Sequence, residues 1–149
     1  MTTATQGVAL PTAVEEFVRR IGTADWEGME DHLAADVLYD AAVPGWHYQY
    51  QGAARVMQEY REEWSGKYRW QIVERHVVGG DAAVVLLIEM RGTPIRAGEH
   101  LPVVCRLSNL FRLDDDQIAE HRYTCCGEWD PDTVRHIAEH APSVGGRTA

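Results

Sequence analysis

The sequence predicts an α+β protein with its helices gathered on one face of a curved sheet, and three observations carry that prediction. Apolar residues recur at helical spacing through most of the first half of the chain; beyond Gly66 the period shifts toward two and holds to Cys125. The chain has 149 residues, enough for one domain with one buried core. Its composition, 45% hydrophobic and 25% charged, is that of a packed globular protein and excludes wholesale disorder or a fibrous repeat.

Met1 to Leu10 is small, polar and aperiodic. Residues 1–10 are therefore expected to form a flexible N-terminus, residues 11–141 the single folded domain, and residues 142–149 a flexible tail. Thr12 with Glu15 three residues later has the form of a capping box, and Val14, Phe17, Val18 and Ile21 follow as one helical stripe that Gly22 ends. Asp25 is the cap of a second short helix carrying Trp26, Met29 and Leu33. Val37-Leu38-Tyr39 marks a first strand, closed by Pro44-Gly45. After Gly52 a third helix places Val56, Met57, Tyr60 and Trp64 on one side, and Ser65-Gly66 stops it. Tyr68–Val78, Ala82–Arg91, Val103–Leu113 and Ile118–Cys125 read as four strands, most simply an antiparallel meander. Asp130 and Pro131 start a last helix, whose stripe is Val134, Ile137, Ala138 and Ala141.

With 14 Lys+Arg against 23 Asp+Glu the net charge is −9, and no basic cluster is present, so nucleic acid and anionic membrane are not expected partners. The longest apolar run, Ala82 to Ile88, falls far short of the roughly 20 residues of a membrane helix. Met1 to Pro11 lacks the basic start and apolar core of a secretory signal, so the expected location is cytoplasmic. The three cysteines, Cys105, Cys125 and Cys126, are an odd count and read as reduced thiols.

No cofactor and no metal are expected. His136-Ile137-Ala138-Glu139-His140 has the form of an inverted zinc-peptidase motif, but it lacks room for a downstream acidic ligand, and histidines at a helix C-terminus also suit the dipole. Cys125-Cys126 has no second pair at zinc spacing and reads as core sulfur. Asp114-Asp115-Asp116 lacks the glycine and glutamate of a calcium loop and reads as a hairpin turn. There is no glycine-rich phosphate loop and no Gly-x-Ser-x-Gly elbow.

The element order, with Ala35-Asp36-Val37-Leu38-Tyr39-Asp40, Pro44-Gly45-Trp46, Gly52-Ala53-Ala54 and Gln117-Ile118-Ala119-Glu120-His121, resembles the nuclear transport factor 2-like superfamily. Within it, the SnoaL-like group of polyketide cyclases and ketosteroid isomerase relatives is the most similar branch. The resemblance implies a curved antiparallel (mixed) sheet forming a cone, closed by three helices of the N-terminal half, with a short C-terminal helix. It also implies a hollow for a small hydrophobic molecule and a homodimer, for which Glu89, Arg91, Arg106 and Arg112 are candidate interface residues. Isomerases, cyclases, dehydratases, epoxide hydrolases, binders and interaction modules share this fold, so activity must be read from the site.

On the strand Val103–Leu113 the alternation turns Cys105, Leu107, Asn109 and Phe111 inward. Asn109 is then polar on an apolar face. The resemblance implies an oxyanion donor at its position, and satisfying neighbouring backbone groups would explain it equally well. In the last strand Ala119, His121, Tyr123 and Cys125 alternate with Ile118, Glu120, Arg122 and Thr124, and the pattern leaves open which set is inside. The resemblance favours the first set, with His121 as acid–base group and Tyr123 as a donor to a developing enolate; the rival reading of His121 is a structural or interface histidine. If Ile118 points inward, Glu120 and Arg122 become the pocket pair.

Tyr39 and Asp40 lie where the family often keeps acid–base residues, yet the base of ketosteroid isomerases falls at Ala41 here, so steroid double-bond isomerisation by that base is not expected. Asp40 serves from a shifted strand or is a solvated strand-end carboxylate. The aromatic loop Pro44 to Tyr50 is either a lid over a flat substrate or a plug on the cone. Phe17, Tyr60, Met90 and Phe111, with Tyr39 and Trp46, are the expected substrate-binding lining.

The expectation is thus a cofactor-independent enzyme acting on a small hydrophobic carbonyl or polyketide-like substrate by cyclase-, isomerase- or dehydratase-type chemistry. Its catalytic set would be His121, Asn109, Tyr123 and Asp40. The alternative is a non-catalytic small-molecule-binding or protein-interaction module. Epoxide hydrolysis ranks lower, because the two aspartates and arginine it would need are not found at plausibly inward positions.

Overall fold

The computed structural model describes residues 9–140, so residues 1–8 of the expected flexible N-terminus (residues 1–10), Ala141 and the expected tail, residues 142–149, lie outside the described residues. Helix α1 (Thr12–Thr23) buries the predicted stripe, Val14, Phe17, Val18 and Ile21, and Ala13 beside it. Thr12 is already helical and Pro11 sits at the cap position with no side-chain bond, so the capping box does not form. The helix runs past Gly22 and ends at Ala24, whose left-handed φ of 55° lets its N–H bond the Arg20 carbonyl.

The expected second helix is instead a 3₁₀ turn, Met29–His32. Asp25 accepts a bond from the Glu27 N–H, and the Arg20 guanidinium clamps the carbonyls of Asp25 and Glu27. These local bonds hold the chain in turns where a helical cap was predicted. Leu33, expected in that helix, opens strand β1 (Leu33–Val43).

Pro44-Gly45 closes β1 as a hairpin, with Gly45 at φ 75°, and leads into strand β2 (Trp46–Gln51). The expected aromatic loop is therefore an edge strand. Its residues alternate, with Trp46, Tyr48 and Tyr50 on one side and His47 and Gln49 on the other, and pairing with β1 satisfies a backbone that a loop would leave open.

Helix α2 (Ala53–Ser65) buries Val56, Met57, Tyr60 and Trp64, as the spacing predicts. Strands β3 (Tyr68–Gly79), β4 (Ala83–Pro94), β5 (Val103–Asp114) and β6 (Gln117–Cys125) form the expected antiparallel meander. The turn at Asp115 and Asp116, both at positive φ, joins β5 to β6. One sheet of six strands results, in the order β2-β1-β6-β5-β4-β3, mixed because β1 lies parallel to β6. Helix α3 (Pro131–His140) starts as predicted, with Asp130 accepting from the Thr133 N–H at 2.9 Å.

The curved sheet turns one face to α1 and α2, and the core fills that space. Phe17, Tyr39, Tyr60, Trp64, Leu86, Met90, Phe111 and Ile118 are among its largest fully enclosed members. On the opposite face Glu89 pairs with Arg106 and Glu120 with Arg112 and Arg122, pairs too exposed to add much stability. No helix among the described residues is long and apolar enough to cross a membrane.

Candidate functional site

Strand parity settles the open question of β6. His121 is 0% exposed and Tyr123 4%, while Arg122 and Thr124 face solvent. Ile118 is buried as well, because a register shift beside Leu113 turns it inward without exposing His121. Glu120 and Arg122 remain on the outer face as an ion pair, which removes them as a pocket pair.

His121 lies in a closed hydrogen-bond chain. The Asn109 amide donates to the Leu86 carbonyl at 3.4 Å, which fixes the amide orientation and leaves Asn109 Oδ1 as an acceptor. His121 Nε2 lies 2.9 Å from that oxygen and so carries the proton. Nδ1, 2.8 Å from the Tyr60 hydroxyl, then accepts. Phe111 stacks on the ring at 4.3 Å, and Phe17 and Tyr39 meet it edge-on at 4.9 and 5.2 Å. Burial alone pushes the imidazole down to about 3, so it is neutral near physiological pH.

Beside this enclosed chain, β2, α2 and the ends of β4, β5 and β6 surround an open cavity of about 870 Å³. Trp46, Tyr48 and Tyr50 form one wall; Trp64, Trp70, Met90 and Tyr123 lie deeper, and Cys105, Cys125, Cys126, Glu128 and Trp129 close the far side. Glu63 stands on the rim. Solvent reaches its carboxyl through the opening, but protein crowds its other sides, and that partial desolvation, with the nearby Glu59, raises its pKa. Glu59 is itself held by the Tyr48 hydroxyl at 3.0 Å and by Arg55. Burial raises the Tyr123 phenol far above its ordinary value, so it remains a hydrogen-bond donor at any working pH.

The expected residues thus divide into groups. Asn109, His121, Tyr60, Phe17, Phe111 and Tyr39 are packed together in the core, with Tyr39 stacked toward Tyr123. Tyr123, Met90 and Trp46 line the cavity. Asp40 belongs to neither group: its neighbours Tyr39 and Ala41 point inward, and its own carboxylate bonds His47 and Gln49 on the other side of the sheet. The inward position, Ala41, is fully buried. Sequence reasoning missed Glu63, Tyr48 and Cys125. The signal for Glu63 was its i,i+4 pairing with Glu59 on the border of the Val56, Tyr60, Trp64 stripe.

His136 and His140 stack on exposed α3, and among the described residues no group of three or more His, Cys, Asp or Glu side chains could hold a metal ion.

The mixed sheet packed against two helices is similar to several solved structures. An NTF2-like protein from Anabaena variabilis superimposes with a TM-score of 0.63 at 20% identity, over 77% of this chain and 84% of that one. An LEH-like epoxide hydrolase of M. tuberculosis gives 0.61 at 21% identity, over 77% and 80%. A candidate polyketide cyclase from Xanthomonas campestris pv. campestris gives 0.61 at 22% identity, over 75% and 86%. At such identities the likeness shows the fold alone. No match is found among curated proteins. The sequence profile of the SnoaL-like domain, however, matches residues 14–121, from the first turn of α1 to the histidine at the centre of the core. The chain therefore belongs to the SnoaL-like domain family, built on the NTF2-like fold.

Proposed function

We propose that the protein is a cofactor-independent enzyme acting on a small, flat, hydrophobic carbonyl compound of polyketide-like type. The substrate occupies the cavity between β2, α2 and the ends of β4 to β6. The observation that carries this reading is one cavity walled by aromatic rings that also holds an acid–base group, Glu63, and a buried phenol donor, Tyr123. Glu63 takes a proton from the carbon beside the carbonyl, and Tyr123 donates to the oxygen as negative charge develops there. A raised carboxyl is a stronger base than an ordinary one.

This reading moves acid–base work away from His121. Both its ring nitrogens are engaged, and a substrate would have to displace Asn109 or Tyr60 to reach one. The same observation supports a second reading, a binding module whose core histidine is purely structural. Epoxide hydrolysis gains no support, since no aspartate or arginine occupies an inward strand position among the described residues.

Deuterium exchange at the carbons beside the carbonyl of 2-tetralone, a flat bicyclic ketone, tests the proposal without knowledge of the natural substrate. Wild-type protein is expected to accelerate exchange, and Glu63→Gln to reduce that acceleration at least about a hundredfold, the ordinary worth of general base catalysis. Binding of the ketone with no acceleration would leave the binding module. Acceleration lost in His121→Gln but kept in Glu63→Gln would return the catalytic role to His121.

A further inference from the structure

The cavity contains a thiol cluster that acid–base chemistry does not use. Cys105 comes from β5, Cys125 from the end of β6, and Cys126 from the next residue; all three line the same wall. Their surroundings differ. Cys105 is buried and Cys126 is exposed, with its sulfur accepting from the Arg106 N–H at 3.2 Å. Cys125 is half-buried, and its sulfur accepts the Gly127 N–H at 3.3 Å. Gly127 has φ 103°, a conformation that a side chain would resist. Trp64, deeper in the same cavity, is 2% exposed and its indole N–H has no partner, an unmet donor.

We propose that Cys125 is a nucleophile that captures α,β-unsaturated carbonyl compounds entering the aromatic cavity. The inference rests on the cavity being a carbonyl-ligand site. In the step, a lone pair on Cys125 Sγ forms a bond to the β-carbon of the enone. The carbon–carbon π pair moves toward the carbonyl to give an enolate, and the α-carbon then takes a proton from solvent at the open mouth. The net change is addition of a thiol across a double bond, with no other reactant.

Electrostatics favour the same sulfur. Cys105 beside it, the Tyr123 hydroxyl and the Gly127 N–H hold the Cys125 thiol below its usual range, while burial and Glu128 oppose them. Cys105 is pushed the other way, by its neighbour Cys125 and by burial. Glu63, Cys126, Tyr48 and Tyr50 are the remaining titratable groups on its walls. A less basic thiolate is also a weaker nucleophile, so its larger population brings little gain in absolute rate. The discriminating signature is the pH profile.

The test uses benzylideneacetone, an aromatic enone, and its saturated analogue 4-phenylbutan-2-one, with reduced full-length protein. The enone is expected to add once, at Cys125, with fragment ions separating it from Cys126. The rate should saturate with enone concentration, fall when the saturated ketone is present, and level off well below the pH of about 8.5 at which a free thiol ionises. Cys125→Ser should abolish the adduct, and Cys105→Ala should move the inflection upward. Quenching of tryptophan fluorescence by the saturated ketone reports the cavity independently. If the ketone binds but the enone adds only at Cys126, or adds at Cys125 with an ordinary thiol profile, the inference is overturned and the cavity reading stands. If the ketone neither binds nor protects, both fall.

Discussion

His121 makes the sharpest quantitative prediction, because its environment couples one proton to the stability of the whole fold. In the folded chain the imidazole is pushed down to about 3, against an ordinary value of 6.5. Between those limits the unfolded chain binds the proton and the folded chain does not, so stability is complete above pH 6.5 and falls as pH falls toward 3. At pH 5 the unfolded imidazole is protonated about 30 to 1 while the folded one remains neutral, a difference of about 2 kcal/mol. With a urea slope of about 2 kcal/mol/M, the unfolding midpoint should drop by about 1 M between pH 7.5 and pH 5 through this residue alone. His121→Gln isolates the term, since the glutamine amide can still donate toward Asn109 and accept from Tyr60. Urea unfolding of both proteins at the two pH values should show a pH dependence smaller by about 2 kcal/mol in the variant. Equal pH dependence in the two proteins, or an imidazole resonance titrating near 6.5, would refute the enclosed neutral histidine.

Three further outcomes follow from the same geometry. Tyr60→Phe removes the hydroxyl that meets His121 Nδ1 and leaves a buried acceptor unpaired, so thermal or urea unfolding should show a loss of about 1–3 kcal/mol. Asp40→Ala should leave 2-tetralone exchange within about twofold of wild type, because the carboxylate sits on the outer face with His47 and Gln49; a hundredfold loss would restore it to the catalytic set. Gly92→Ala would place a Cβ 2.8 Å from Trp70 and 3.0 Å from Val103, and unfolding should register about 1–3 kcal/mol of destabilisation from that overpacking, with a shifted cavity wall.

The repetitive parts of the fold were legible because period and burial coincide. Phe17 and Ile21 on α1, Tyr60 and Trp64 on α2, and Asn109 and Phe111 on β5 all face where their spacing puts them. Boundaries failed where local bonds overrode pattern. Asp25 looks like a helix cap but closes a turn, and Pro44-Gly45 looks like a strand stop but is a hairpin. Pairing of β1 with β6 brings Tyr39 opposite His121 and Ala41 opposite Tyr123 from more than half the chain away, which no local signal encodes. The candidate site was half visible. Residue chemistry singled out Tyr123 and Trp46, but the cavity they share with Glu63 and Cys125 is a product of sheet curvature and helix placement.

That geometry also governs how a histidine substitution must be read. His121 supports Phe111 and Tyr39 on its two sides, and Tyr39 stacks at 6.4 Å on Tyr123, which lines the cavity. Replacing His121 by alanine opens a void beneath those rings and leaves Asn109 Oδ1 and the Tyr60 hydroxyl without a partner. Tyr123 would then lose its backing, and a hundredfold loss of turnover would follow whether or not the imidazole ever moved a proton. His121→Gln keeps one donor and one acceptor for those two partners and most of the volume, while removing the titrating ring. A loss of activity in the alanine variant that the glutamine variant restores therefore assigns His121 to positioning. A loss common to both, accompanied by disappearance of an acidic limb in the pH–rate profile, assigns it to the chemistry.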